Sequence, residues 1–431
     1  MRKLPAETIY YLRHAVWGFA SGLIFTSIWV LYYTVMELSL VQVSLLFVVL
    51  TVTSLVFEIP TGILADVYSR RLSVILGGGL MGCAYVLIGS YPIFAIVLLA
   101  GFIEALGDTF ISGALQAWIT DEVGEDKVSG VFLRGRQVAT PAHWAGVVLS
   151  VALAARLNYQ APIALGGALW LVLTVVLVFC MPETNFQRNT GPAKMSRKYL
   201  LTALKAALAT FMDGARAVRG SRTLQALFFA MLLGSAFADG FYKFSRAHIL
   251  LSFNLPTITL PLLGVLKDNL WFGLLEMLQG LFYLAGAEVV RRKIHLERTG
   301  TSARTLMVFY SLMLAALSVF AFTGHIGLAM AAWVIVCGLQ DLGEPIMEAW
   351  LNQNIPSKVR ATVISMSSQT GEIGALGSST GLGAFGDHFG VRSALKLLGA
   401  ILLPLILIYR QNARVLPIGA LDAGTGTQEP G

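Results

Sequence analysis

The sequence predicts an all-α membrane protein with twelve transmembrane helices in two six-helix, pseudo-symmetric bundles. Three observations carry this. Of the 431 residues, 56% are hydrophobic and 13% charged, a balance that a soluble domain of this length has too little polar surface to cover. Apolar runs of spanning length recur along the chain. The longest polar stretch separates the sixth run from the seventh.

In order, the runs lie at 12–36, 41–65, 72–91, 93–119, 130–156, 161–181, 224–250, 269–290, 303–322, 325–351, 360–385 and 391–409, each near the roughly 20 residues a helix needs to cross a bilayer. The first keeps Arg13 and His14 at its start and lacks a small-residue cleavage site, so it is read as a retained helix and not a signal peptide. With an even number of spans, both termini share a side. Residues 182–223 form the central connection, with eight basic residues from Arg188 to Arg222. Between Ser196 and Val218, Leu200, Leu204, Leu208 and Phe211 alternate with Arg197, Lys198 and Lys205, a period that fits an amphipathic surface helix or a solvated linker helix. The expected domains are therefore 1–181 and 224–410, joined by 182–223. A tail at 411–431, rich in Gly, Thr and Pro from Leu416 onward, reads as disordered.

Charge sets the expected orientation. The formal charge is +7, and in so apolar a chain this reflects loops facing anionic lipid, not a nucleic-acid partner. Of the 31 Lys and Arg, 25 lie at one set of ends: the N-terminus, the 2–3, 4–5, 6–7, 8–9 and 10–11 connections, and the tail. Only Arg156, Lys267 and Arg392 lie at the opposite ends. Positive residues are retained in the cytoplasm, so both termini are expected there. Cys83, Cys180 and Cys337 sit inside apolar runs and are read as small buried residues. The sequence holds no phosphate-binding Gly-rich loop, no His and Cys cluster at ligand spacing and no Gly-x-Ser-x-Gly elbow. No metal, cofactor or enzymatic activity is expected, and the energy source is expected to be an ion gradient.

An internal repeat links the halves. Ala105-Leu106-Gly107-Asp108 in span four is echoed by Asp341-Leu342-Gly343-Glu344 in span ten. Gln116-Ala117-Trp118 is echoed by Glu348-Ala349-Trp350, and Lys127-Val128-Ser129-Gly130 by Lys358-Val359-Arg360-Ala361. Spans four and ten hold equivalent places in a six-plus-six arrangement, as parallel transporter repeats do.

The most specific motif is Gly62-Ile63-Leu64-Ala65-Asp66-Val67-Tyr68-Ser69-Arg70-Arg71, between spans two and three. It resembles the loop of the major facilitator superfamily, which reads Gly, any, Leu, Ala, Asp, Arg, any, Gly, Arg, Arg or Lys. Gly62, Leu64, Ala65, Asp66, Arg70 and Arg71 match, while Val67 and Ser69 depart. Gly62 is expected to permit close helix approach, and Asp66 to pair with Arg70 or sit at a helix N-terminus, as a charge lock that breaks when the halves rock. Membrane anchoring by Arg70 and Arg71 alone would not require Gly62 and Asp66. The resemblance covers nearly the whole chain. It implies the major facilitator fold and a monomer that alternates between inward-open and outward-open states. Spans one, four, seven and ten would line a central cavity, and spans two, five, eight and eleven would meet between the halves.

Ionisable residues concentrate on three of those four lining spans. Glu104 and Asp108 in span four share a helix face, and Asp341, Glu344 and Glu348 form a stripe on span ten. An acid at membrane depth costs roughly 2.5 kcal/mol or more, so it faces a cavity or a partner. Two acids on one face disfavour joint ionisation, and one tends to hold a proton. Span seven adds Asp239, Lys243 and Arg246, either a neutralised structural ion pair or a cavity pair that switches partners. Glu58, His143, Glu276 and Glu372 are weaker candidates at the same depth, with His143 read first as a packing residue. Trp17, Phe25, Trp29, Phe237 and Tyr242 are candidate apolar walls, and Gly77-Gly78-Gly79 and Gly377-Ser378-Ser379 suit close helix contact.

The expected function is a proton-coupled exporter of amphipathic or cationic organic compounds, resembling bacterial drug/proton antiporters, in the bacterial inner membrane. Its partners would be a small organic substrate, protons and the lipid bilayer, with Glu104, Asp108 and Glu344 exchanging proton for substrate. Drug antiporters usually carry an Arg in span four and a Gly-Pro-Gly signature in span five. Gly101 and Phe102 occupy the former place here, and span five offers only Pro141 and Gly146. An exporter of an endogenous metabolite or siderophore, a proton symporter importing a nutrient, and a non-transporting receptor or scaffold are the alternatives.

Overall fold

The computed structural model describes residues 4–186, 212, 215, 216, 218–260, 264–266, 268–294, 300–355 and 360–413. Most of the segment 196–218 and all of 414–431 lie outside the described residues, and with them the surface-helix and disordered-tail expectations. The described residues form twelve long helices, one at each expected span. They are α1 Ala6–Val30, α2 Leu40–Val67, α3 Arg70–Ser90, α4 Phe94–Val123, α5 Glu125–Arg156, α6 Gln160–Cys180, α7 Arg222–Ser252, α8 Asp268–Lys293, α9 Thr301–Phe322, α10 Ile326–Asn354, α11 Arg360–Phe389 and α12 Val391–Asn412.

Eleven of these are long and apolar enough to cross a membrane, while α11 is not among them. Its Gly and Ser content, from Ser367 to Gly383, lowers its hydropathy. Two features were not foreseen. A π-helical turn, Leu31–Val35, extends α1, and a short antiparallel hairpin pairs Ile258–Leu260 with Gly264–Leu266 between α7 and α8. The 4–5 connection is also shorter than the apolar runs suggest. α4 continues to Val123 and α5 starts at Glu125, because Gly124 alone turns the chain at φ 85, a value open to glycine.

The chain forms two compact units: Met1–Met195 with Arg246–Met277 and Ser379–Val391, and Ser196–Ser245 with Leu278–Ser378 and Arg392–Gly431. In the first unit, α1 packs on α5 backbone to backbone. A Cβ on Gly22 would lie 2.2 Å from the His143 carbonyl oxygen, and one on Gly146 would lie 2.1 Å from that of Phe19. Only small residues allow this approach in a membrane, where van der Waals contact drives helix association. Of the two small-residue clusters, Gly77 does meet α4: a Cβ there would lie 2.4 Å from the Gly107 carbonyl oxygen. A Cβ on Gly377 would meet nothing within 4 Å, so close contact there is not the reason for its size. Cys83 is exposed and Cys180 and Cys337 are half-buried. The expectation of buried cysteines is therefore corrected: an apolar run fixes membrane depth but not which side of a helix faces lipid.

In the second unit, Phe237 stacks on Phe241 at 5.8 Å. The buried Trp333 indole N–H donates to Ser245 Oγ at 3.0 Å, and a Cβ on Gly374 of α11 would come 2.2 Å from the Leu232 carbonyl of α7.

The start of α2 is capped twice. Ser39 accepts from the Gln42 amide while the Gln42 side chain accepts from the Ser39 amide, a capping box. The Asp387 carboxylate of α11 accepts from the Leu40 amide at 2.7 Å and the Val41 amide at 3.0 Å. A carboxylate at a helix N-terminus contributes up to about 2 kcal/mol when partly buried. Asp387→Ala is therefore expected to speed amide exchange at Leu40 and Val41 by about tenfold, since tenfold corresponds to about 1.4 kcal/mol. Unchanged exchange there would show that the capping box suffices.

Candidate functional site

A cavity of about 310 Å³ opens in the first unit between α1, α2, α3, α4 and α6, lined by Trp17, Phe25, Tyr85, Trp170, Glu104 and Asp108 among others. The spacing of four residues brings both carboxylates to this cavity. Glu104 accepts from the Tyr85 hydroxyl at 2.5 Å, whereas Asp108 stands exposed. Phe25 meets Tyr85 edge-on at 6.4 Å. Three of the candidate wall residues, Trp29, Phe237 and Tyr242, are not on its lining. Trp29 is stacked on Tyr33 and Phe47 at 6.1 and 5.9 Å, beneath the Arg246 guanidinium at 5.1 Å, and Phe237 is buried on Phe241.

α1 places a cation beside two of the tryptophans that line the cavity. Arg13, counted above with the N-terminal flank, lies inside the helix and is 8% exposed. Its guanidinium stands 5.9 Å from the Trp17 ring and 5.5 Å from the Trp170 ring, close enough for cation–π attraction. Its Nε has no hydrogen-bond partner among the described residues, and Asp108 acts on it electrostatically. The cavity thus combines two acids and several aromatic faces, with one base against the rings of Trp17 and Trp170.

The close α1–α5 contact places a polar chain beside this cavity. Ser21 Oγ, also on the cavity lining, donates to the Gly18 carbonyl at 2.7 Å and lies 3.0 Å from His143 Nδ1. His143 Nε2 is 3.6 Å from Glu276 Oε2 of α8. Thr26 Oγ1 lies 2.8 Å from the Gly22 carbonyl and 3.4 Å from the same Glu276 oxygen. Two candidates that were unrelated in sequence, His143 and Glu276, therefore adjoin.

In the second unit, Asp341 accepts from Gln279 Nε2 of α8 at 2.8 Å, while Glu344 and Glu348 are exposed on the following turns of α10. Asp239 pairs with Lys243, whose side chain is wholly buried. Arg246 belongs to the first unit, over Trp29. Glu58 is exposed and Glu372 half-buried.

The loop between α2 and α3 forms a charged cluster. Arg70 reaches Asp66 at 3.6 Å, pairs more closely with Asp121 near the end of α4, and donates to the Ala117 carbonyl at 2.9 Å. Arg71 donates through its side chain to the Val178 carbonyl at 2.5 Å and through its amide to Glu183 at 2.9 Å. Ser69 caps α3 by accepting from the Leu72 amide at 2.9 Å and donates to Glu183 at 2.7 Å. A Cβ on Gly62 would meet nothing within 4 Å. The expected close approach there is corrected: the cluster is held by charge and capping, not by a missing side chain.

A profile of the Major Facilitator Superfamily matches residues 15–378. The chain belongs to that superfamily. A relative named as an uncharacterized MFS-type transporter, YxaM of Bacillus subtilis strain 168, is 24% identical over 404 residues, covering 93% of this chain and 94% of its own. Among solved structures, a bacterial homolog of the human lysosomal transporter Spinster, inward-facing and unoccupied, superposes with a TM-score of 0.73 at 13% identity, over 96% of this chain and 98% of its own. The nucleoside transporter NupG gives 0.66 at 11% identity, over 96% of this chain and 100% of its own. At these identities the structures establish the fold alone.

As a major facilitator protein, the chain is a multi-pass membrane transporter of small molecules. Its departure at Ser69 from the superfamily loop now has a physical account. The serine trades glycine's freedom for a helix cap and a bond to Glu183, at an extended φ of −174° that needs no glycine. Sequence reasoning missed Arg13, Asp121, Glu183 and Asp387. Charges at span ends read as membrane anchors, and only the neighbouring backbone shows that they cap or clamp helices.

Proposed function

We propose that the protein is a proton-coupled antiporter that works by alternating access and exports amphipathic organic compounds bearing a cationic group. The observation that supports this most is the cavity itself, in which Glu104 and Asp108 lie among Trp17, Phe25, Tyr85 and Trp170. Aromatic walls favour the apolar body of such a compound, and a carboxylate at membrane depth favours its cation. One carboxylate cannot hold a proton and form an ion pair with a cation at once. Substrate and proton therefore compete, and an inward proton gradient drives the substrate outward. Glu344 and Glu348, exposed on α10, are the candidate counterparts in the second repeat.

The test is lumenal pH in proteoliposomes of the purified protein under an imposed proton gradient, with and without tetraphenylphosphonium and other cationic amphiphiles. Proton release on adding a cation is the expected result. A panel that moves no protons overturns the reading and favours a narrow metabolite as cargo.

A further inference from the structure

We infer that His143 and Glu276 form a proton-binding site, separate from the carboxylates of the cavity, that holds α8 onto α5 when protonated. The inference rests on the proton coupling proposed above but on different atoms. A hydroxyl carries one proton, and that of Ser21 goes to the Gly18 carbonyl at 2.7 Å. Ser21 Oγ can then only accept from His143 Nδ1, 3.0 Å away, which places the imidazole proton on Nδ1. In the neutral ring, Nε2 is left as a bare lone pair 3.6 Å from a Glu276 carboxylate oxygen.

Thr26 does not relieve this. Its one proton is better placed for the Gly22 carbonyl at 2.8 Å than for Glu276 at 3.4 Å. Two acceptors therefore face each other across α5 and α8, and one added proton turns that repulsion into an imidazolium–carboxylate pair. No other charged side chain among the described residues lies within ion-pair distance of either group. Ser21 and Thr26, both from α1, are the polar neighbours.

Neutral groups make the next contacts along this face, toward Asp268 at the start of α8. Asn269 of α8 donates to the Ser150 carbonyl at 3.3 Å. One turn on, a Cβ on Gly273 would come 2.8 Å from Val147 Cγ1. Asn269, Gly273 and Glu276 thus ride on Ser150, Val147 and His143 in antiparallel order, and of these three contacts the His143–Glu276 pair is the one that a proton can switch. Uptake adds one proton at Nε2 or at the carboxylate and release removes it, with no other bond changed. Because Ser21 also lines the cavity, the site adjoins the place where substrate binds.

The experiment is hydrogen exchange of the full-length protein in nanodiscs, corrected for intrinsic rates, following peptides that cover 268–277. In the wild type, protection of α8 is expected to fall by about tenfold as rising pH removes the proton from the pair. His143→Gln keeps the contact with Ser21 but cannot become charged, and Glu276→Gln keeps the imidazole. Both are expected to show flat profiles. A wild-type profile without pH dependence overturns the inference, as does an unaltered dependence in both variants. This readout needs no transported cargo. A wild type that shows the exchange effect yet moves no protons with cations sinks the proposed antiport and leaves this site standing.

Discussion

Asp108→Asn is expected to abolish cation-driven proton release in proteoliposomes, down to the level of protein-free vesicles. Asparagine keeps the size and hydrogen-bonding reach of the side chain but can neither carry a proton nor pair with a cation. Asp108 is the exposed acid of the cavity, within electrostatic reach of Arg13. Glu104 is already tied to Tyr85, so Glu104→Gln should weaken coupling less. Hydrogen bonds to charged groups contribute about 1.5–3 kcal/mol, so cation binding to Asp108→Asn should weaken by about ten- to a hundredfold. Quenching of intrinsic tryptophan fluorescence, with Trp17 and Trp170 on the cavity wall, measures this separately from transport. Full gradient-driven transport in Asp108→Asn, Glu104→Gln and Glu344→Gln alike would remove these carboxylates from the mechanism.

Lys243→Met is expected to destabilise the protein by about 3–5 kcal/mol, the usual effect of removing one partner of a buried ion pair. The Lys243 side chain is wholly buried and that of Asp239 is 16% exposed. The single variant takes the neighbouring base away from a carboxylate at membrane depth, and should lose its monodisperse peak in size-exclusion chromatography and melt well below the wild type. Asp239→Asn/Lys243→Met removes both charges and should recover the fold. Transport by the double variant then separates the two roles open for this pair. A refolded but inactive double variant identifies a pair that switches partners during transport, and an active one identifies a structural pair. Wild-type stability of Lys243→Met would refute both.

Much of the architecture was legible in the amino-acid order, because a bilayer admits few solutions. Backbone groups in hydrocarbon must be satisfied by helices or closed barrels, and apolar runs of helical spanning length point to helices. A helix covers all twelve expected spans, α11 among them although it is not one of the eleven long and apolar enough to cross a membrane. Periodicity placed Glu104 and Asp108 on one face, and both line the cavity. The match of Gly62 through Arg71 to the superfamily loop also pointed to the family that the profile then established.

Tertiary structure alone decided which distant groups meet, since helix–helix contact is chosen by packing across the bundle and leaves no periodic trace. Ser21, His143 and Glu276 lie on three helices, and they adjoin because Gly22 and Gly146 let α1 and α5 touch. Asp387 reads as one more charge at a span end, yet it caps α2 from 346 positions away at Val41. Arg13 reads as an anchor at the edge of the first span, and only the folded bundle turns it inward between two tryptophans. Composition and period specify how deep a residue sits and which neighbours share its face. Which partner stands opposite is fixed only when the helices have packed.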